Sequence, residues 1–63
     1  MWAVENRTDE IPAWPEPFET MSEAREFIRA FRARNEEQGY YLTADGMRIS
    51  PIHVELEIVP VED

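Results

Sequence analysis

The strongest structural signal in the chain is an apolar stripe with helical spacing. Its side chains recur at the i, i+3, i+4 and i+7 positions that form one face of a helix: Met21, Ala24, Phe27, Ile28 and Phe31. Thr20 and Glu23 match a capping box, in which the hydroxyl accepts from the N3 amide and the glutamate bonds back to the cap amide. Gly39 can take the left-handed conformation that ends many helices. The pattern predicts an amphipathic helix from Thr20 to about Gln38.

A charged stripe runs along the same predicted helix. Arg25, Arg29 and Arg32 share one face, and Glu26 and Glu36 lie within ion-pair distance of Arg29 and Arg32. An arginine cluster could bind an acidic partner or phosphates, but the glutamates among these arginines neutralise much of the charge. We therefore expect this face to be a solvent-exposed surface crossed by ion pairs.

Alternation of apolar and polar residues predicts strands on both sides of the helix. Met1 to Glu5 alternates, with Trp2 and Val4 on one face. After the helix, Tyr40 to Ala44 is rich in strand formers, and Asp45-Gly46 predicts a hairpin turn onto Met47 to Ile49. Ser50-Pro51 interrupts the pairing. The clearest alternation predicts a last strand from Ile52 to Val59, with Ile52, Val54, Leu56 and Ile58 facing the core and His53, Glu55 and Glu57 facing outward.

The segment from Asn6 to Glu19 contains Pro12, Pro15 and Pro17, which exclude both a helix and a central strand. We expect an extended loop in which Trp14 or Phe18 folds back over the small core. The alternative is a polyproline ligand at Pro12 to Pro15, a type of site that usually lies in flexible tails.

These elements predict a single domain over residues 1–63 of the α+β class. We expect a small antiparallel sheet of about three strands with one amphipathic helix packed across one face, in the order β-loop-α-β-β. The helix stripe should meet the apolar residues of the strands: Trp2, Val4, Leu42, Val54, Leu56 and Ile58. Tyr41 and Thr43 should lie on the outer face.

Charge limits the classes of partner. Fourteen acidic and six basic residues give a formal net charge of −8, which repels phosphate backbones and anionic lipid surfaces. We expect no direct nucleic-acid binding and no membrane association. The first residues lack the charged and apolar regions of a signal peptide, which favours a soluble, cytoplasmic protein.

His53, Glu55 and Glu57 are the weak candidates for a metal site, because imidazole and carboxylates are metal ligands. Their spacing is loose for one ion, and the outer face of a half-buried strand needs polar residues in any case. No nucleophile motif accompanies them. We therefore expect no cofactor, no metal and no enzymatic activity, with a minimal metal-dependent enzyme as the least favoured alternative.

The remaining hypothesis is a non-enzymatic interaction module that self-associates, most simply as a homodimer, with any other protein partner unidentified. A 63-residue chain without cysteine has a small core, and burial between subunits is the usual supplement. The residues predicted for the interaction surface are Trp14, Tyr41, Val59 and Val61. The alternative is an acidic regulator that mimics nucleic acid and occupies the basic site of a nucleic-acid-binding protein.

Overall fold

A computed structural model describes residues 1–62. It confirms the α+β class: one helix packs against a three-stranded antiparallel sheet, and a hairpin forms a second, two-stranded sheet. The elements in chain order are β1 (Trp2–Asn6), β2 (Ile11–Pro12), α1 (Met21–Gln38), β3 (Tyr41–Leu42), β4 (Arg48–Ile49) and β5 (Leu56–Pro60), with a 3-10 turn at Pro51–His53 between β4 and β5.

Helix α1 begins and ends where its local signals predict. The amide of Glu23 donates to Thr20 Oγ1 at 3.1 Å. The Thr20 hydroxyl donates in turn to Glu23 Oε1 at 3.2 Å, so the return contact of the capping box uses the hydroxyl rather than the cap amide. Gly39 has φ 91°, and its N–H donates to the Asn35 carbonyl at 2.9 Å.

Strand β1 lies at the centre of the main sheet, between β2 and β5. It pairs with all of β5, from Trp2 opposite Pro60 to Asn6 opposite Leu56. The third strand is β2, which comes from the segment predicted to be only a loop. Proline is compatible with this position because β2 is an edge strand, where the missing N–H disrupts no ladder.

The hairpin is confirmed, but the predicted orientation of its first strand is wrong. β3 and β4 pair antiparallel around the Asp45-Gly46 turn, and Gly46 has the positive φ of 85° that suits glycine. Tyr41 is only 9% exposed, whereas Leu42, predicted for the core, is 54% exposed. A two-residue strand carries no periodicity of its own, and a long-range hydrogen bond to the Tyr41 hydroxyl fixes which residue points inward.

The last strand begins four residues later than predicted. Pro51 opens a 3-10 turn that includes Ile52 and His53, and Ile52 is 77% exposed rather than part of the core. Proline fixes its own φ at a value that suits the first position of such a turn. Val54, which follows the turn, is buried as predicted.

The core is small and rich in aromatic rings. The buried hydrophobic side chains among the described residues are Val4, Ala24, Tyr41 and Val54. A row of aromatic rings extends from the buried Tyr41 towards the surface, with neighbouring centroids 5.4 to 6.0 Å apart: Tyr41, Phe31, Phe27, and on Phe27 both Phe18 and Trp14. Both Trp14 and Phe18 therefore fold back onto the helix stripe, as predicted.

The charged face of α1 is exposed only in part. Arg25 and Arg29 are exposed, and Arg29 pairs with Glu26 at 3.3 Å. Arg32 is half-buried and donates from Nη1 to the Val54 carbonyl at 3.3 Å, which corrects the prediction that it faces solvent. Arg32 thus connects the helix to the segment that leads into β5.

Candidate interaction surface

The main sheet has one face under the helix and one open face. Residues paired across β1 and β5 share a face, so the buried Val4 places Ile58 on the helix side. The residues of opposite orientation form what we call the outer face: Ala3, Glu5, Glu57, Val59 and Val61. Ala3, Val59 and Val61 are half-buried, which leaves apolar surface at this end of the sheet.

A shallow cleft borders the apolar end of the outer face. The segment after β2 is hydrogen-bonded to β1 at two places, from the Ala13 amide to the Val4 carbonyl and between Trp2 and Phe18. Between these two places it makes no such bond to β1. The resulting cleft of about 230 Å³ is lined mainly by apolar groups, among them Ala3, Val61 and the prolines. Trp14 forms one wall and is 49% exposed although its ring contacts Phe27.

The other end of the outer face carries charge that is compensated within the chain. The Arg7 guanidinium forms a hydrogen-bonded ion pair with Glu57 through Nε and lies 3.5 Å from Glu5 through Nη1. The hydrogen bond to Glu57 raises the pKa of the Arg7 side chain. Because all three side chains are about half exposed, the pairs contribute little to stability, but they reduce the negative charge beside β5.

The two edges of the main sheet differ in their capacity to pair. The edge at β2 is two residues long, contains Pro12 and is followed by Pro15 and Pro17. Such short, proline-containing edges resist pairing with another strand. The opposite edge is β5, which has β1 as its only neighbour in the sheet over the described residues. Its sequence, Leu-Glu-Ile-Val-Pro, has no proline until its last position.

Hydrogen bonding identifies which groups of β5 face this open edge. The Arg7 amide donates to the Glu55 carbonyl, and the Val61 amide donates to the Met1 carbonyl, both at 2.9 Å. Antiparallel ladders alternate, so odd-numbered residues of β5 bond to β1 and even-numbered residues point away from it. The N–H groups of Leu56 and Ile58 and the carbonyls of Leu56, Ile58 and Pro60 therefore face outward.

Of the four residues predicted for an interaction surface, Val59 and Val61 belong to the outer face, whereas Trp14 follows β2 at the sheet edge opposite β5. Trp14 and Val61 line the same cleft, and Val59 lies two residues from Val61 on the outer face. Tyr41 does not belong to this surface and is corrected to a buried position. No feature of the local sequence singles out the open edge, because strand order depends on contacts between distant residues.

Tyr41 instead belongs to a buried polar cluster that the sequence did not reveal. Asn6, 3% exposed, donates from Nδ2 to the Tyr41 hydroxyl at 2.7 Å, and that hydroxyl donates to Asp9. Asn6 Oδ1 accepts from the amides of Thr8 and Asp9 at 3.0 and 3.2 Å. Burial, together with the hydrogen bond to Asp9, raises the pKa of Tyr41.

This cluster connects the turn after β1 to the hairpin. Asp9 Oδ1 also accepts from the Ala44 amide at 3.1 Å. Within residues 1–62, no buried side-chain nitrogen or oxygen lacks a hydrogen-bond partner. The polar groups are satisfied by one another, which is typical of a structural cluster rather than of a site that binds a ligand.

The three weak metal candidates do not share one strand face. His53 lies in the 3-10 turn, Glu55 precedes β5, and Glu57 lies in β5 and pairs with Arg7. The Glu55 amide donates to Thr8 Oγ1 at 2.9 Å. Among the described residues, no three histidine, cysteine or acidic side chains are grouped closely enough to hold a metal ion.

Within residues 1–62, the structure contains no helix with the length and apolarity that a membrane span requires. Comparisons with protein-family models, with curated proteins and with solved structures found no match to this chain.

Proposed function

We propose that this chain is a non-enzymatic protein-interaction module that self-associates through the side of its sheet formed by β5. The observation that carries the proposal is the contrast between the two sheet edges. Prolines occupy the β2 edge, whereas the β5 edge presents unpaired backbone groups beside half-buried valines. An open edge of this kind is a template for pairing with another strand.

The size of the core supports association. Over residues 1–62, only four hydrophobic side chains are buried, while six large apolar side chains are at least 47% exposed: Met1, Ile11, Trp14, Leu42, Met47 and Ile52. A chain of this length buries only about 60% of the surface that its unfolded form exposes, so its net stability is small. Burial of Val59, Val61 and the edge groups between subunits would add to it.

The positions of the polar residues support a role other than catalysis. His53 lies in an exposed turn, and the Glu57 carboxylate is bound by Arg7. The buried polar cluster around Asn6 and Tyr41 is built from groups that bond to each other. A general acid or base works beside a substrate site and a reactive partner group, whereas Glu57 and the cluster residues are held by their own contacts and His53 has no nucleophile motif beside it.

The nucleic-acid mimic remains the alternative, with less support. A mimic needs a continuous array of carboxylates, but Arg7 lies between Glu5 and Glu57, and Arg29 pairs with Glu26. The effect of salt on binding distinguishes the mimic from the self-associating module, because it has opposite signs in the two cases. Screening weakens the capture of a basic protein by a chain of charge −8, whereas it strengthens association between two such chains.

Sedimentation equilibrium tests self-association directly. From about 1 μM to about 1 mM protein we expect a monomer–dimer equilibrium whose dimer fraction rises between low and moderate salt. The Val59→Asp variant should remain monomeric, because it introduces charge beside the open edge. The matched control Ile52→Asp makes the same charge change on the exposed 3-10 turn and should associate like the parent chain. A monomer at every concentration in both salts would contradict the proposal.

A further inference from the structure

The self-association proposed above leaves open how the two subunits meet, and the geometry of β5 restricts the possibilities. Within Leu56–Pro60, the open edge offers the N–H groups of Leu56 and Ile58 and three carbonyls. Pro60 offers a carbonyl only, because it has no N–H. Two copies whose β5 strands pair antiparallel are related by a two-fold axis perpendicular to the sheet. Each possible register is therefore defined by the residue that lies opposite its own copy at this axis.

Only two registers give every outward-facing N–H group of β5 a hydrogen-bond partner within the two strands. With Leu56 or Val59 on the axis, β5 and its copy form only two hydrogen bonds between residues 56 and 60. In the first case Ile58 lies opposite a residue outside the strand, and in the second it lies opposite Pro60. With Glu57 or Ile58 on the axis, all four N–H groups, two from each copy, find a carbonyl within the strands.

Charge decides between these two. An axis at Glu57 places the two Glu57 side chains directly opposite each other in a non-hydrogen-bonded pair, where Cα atoms are about 4.5 Å apart and like charges are destabilising. An axis at Ile58 places Glu57 opposite the partner's Val59 instead. Each Glu57 then keeps its ion pair with Arg7 of its own chain.

We propose that two copies of this chain join their β5 strands antiparallel with the two-fold axis at Ile58. The hydrogen bonds run from Ile58 N–H to the partner's Ile58 carbonyl and from Leu56 N–H to the partner's Pro60 carbonyl, each occurring twice. On the helix side of the sheet, the half-buried Ile58 meets its own copy at the axis.

This pairing also explains why association stops at two copies. Each subunit contributes three strands in the order β2-β1-β5, so the joined sheet ends at a β2 strand on both sides. Those ends carry Pro12 and are followed by Pro15 and Pro17, which disfavour the addition of a further strand. The interface is isologous and closed, and no fibre grows from it.

Disulfide trapping tests the register, because the chain has no cysteine of its own. Leu56→Cys and Ile58→Cys chains, which keep Glu57, are mixed in equal amounts, oxidised gently and analysed by mass. With the axis at Ile58, the two copies of position 58 lie within disulfide distance, whereas positions 56 and 58 of different subunits lie about 7 Å apart on the diagonal. The Ile58→Cys homodimer should exceed the mixed disulfide by about tenfold, whereas random pairing makes the mixed disulfide about twofold more abundant than either homodimer.

The other products identify what is wrong. An excess of the mixed disulfide places the axis at Glu57, and an excess of the Leu56→Cys homodimer places it at Leu56; either result overturns the proposal. Ile52→Cys, mixed with each variant, is the control and should give random products. Sedimentation of the reduced chains distinguishes the failure of this pairing from the failure of self-association. Chains that associate but give random disulfides contradict only the pairing, whereas chains that stay monomeric contradict self-association as well.

Discussion

Phe27→Ala should unfold most of the protein at 25 °C. Phe27 is the centre of the aromatic row, with ring centroids 5.6 Å from Trp14, 5.4 Å from Phe18 and 6.0 Å from Phe31. Removing a core phenylalanine costs about 3 to 5 kcal/mol, which is most of the stability that a core of this size supplies. Three neighbouring rings lose a contact at once, and two of them, Trp14 and Phe18, belong to the segment between β2 and the helix. Phe31→Ala should cost a similar amount.

Urea denaturation measures this effect. Phe27→Leu keeps much of the volume and should cost less than about 2 kcal/mol, so it remains folded and measurable where alanine does not. The matched control is Ile52→Ala, which removes apolar atoms from a side chain that is 77% exposed and should change the unfolding free energy by less than about 0.5 kcal/mol. If both Phe27→Ala and Phe31→Ala cost less than about 1 kcal/mol, the aromatic row is not the stabilising centre.

Asn6→Ala should be the most destabilising change of a polar residue, at about 2 to 3 kcal/mol. The amide side chain donates to the Tyr41 hydroxyl and accepts from the backbone amides of Thr8 and Asp9. Asn6 is 3% exposed, so its removal leaves partners without a hydrogen bond at a site that water reaches poorly. The control Gln38→Ala removes an exposed amide that bonds to the Tyr40 carbonyl and should cost less than about 1 kcal/mol.

A double-mutant cycle with Tyr41→Phe tests whether the cluster acts as a unit. Tyr41→Phe leaves both the Asn6 amide and the Asp9 carboxylate without the shared hydroxyl. If the contact between residues 6 and 41 carries much of the effect, the double variant should lose about 1 kcal/mol less than the sum of the single variants. Additive losses would show that the two side chains stabilise the fold independently.

Local signals in the sequence were sufficient for the helix and for the class of the fold. The cap at Thr20, the apolar stripe and Gly39 specify the helix through contacts within a few residues, and the structure agrees at both ends. The predicted start of β5 was wrong because the alternation of apolar and polar residues already begins at Ile52, whereas the backbone from Pro51 to His53 forms a 3-10 turn. Periodicity did not reveal that change in backbone geometry.

The remaining errors involve contacts between distant residues. Tyr41 points inward because Asn6, 35 residues earlier, provides a partner for its hydroxyl. Ile11 and Pro12 form a strand because β1 offers a ladder, although prolines make the segment read as a loop. Trp14 and Val61 were recognisable as apolar residues in excess of a small core. The open edge of β5 was not, because it exists only in the strand order of the folded sheet.

Amide hydrogen exchange at Leu56 and Ile58 tests most directly whether the open edge is where the chains associate. In the monomer both amides face away from β1 and should exchange fast. In the dimer they are bonded, so exchange should slow by about tenfold once nine-tenths of the chains are paired. The exposed Ile52 amide should change by less than about twofold over the same concentrations. If Leu56 and Ile58 still exchange fast where sedimentation shows a dimer, the subunits meet elsewhere.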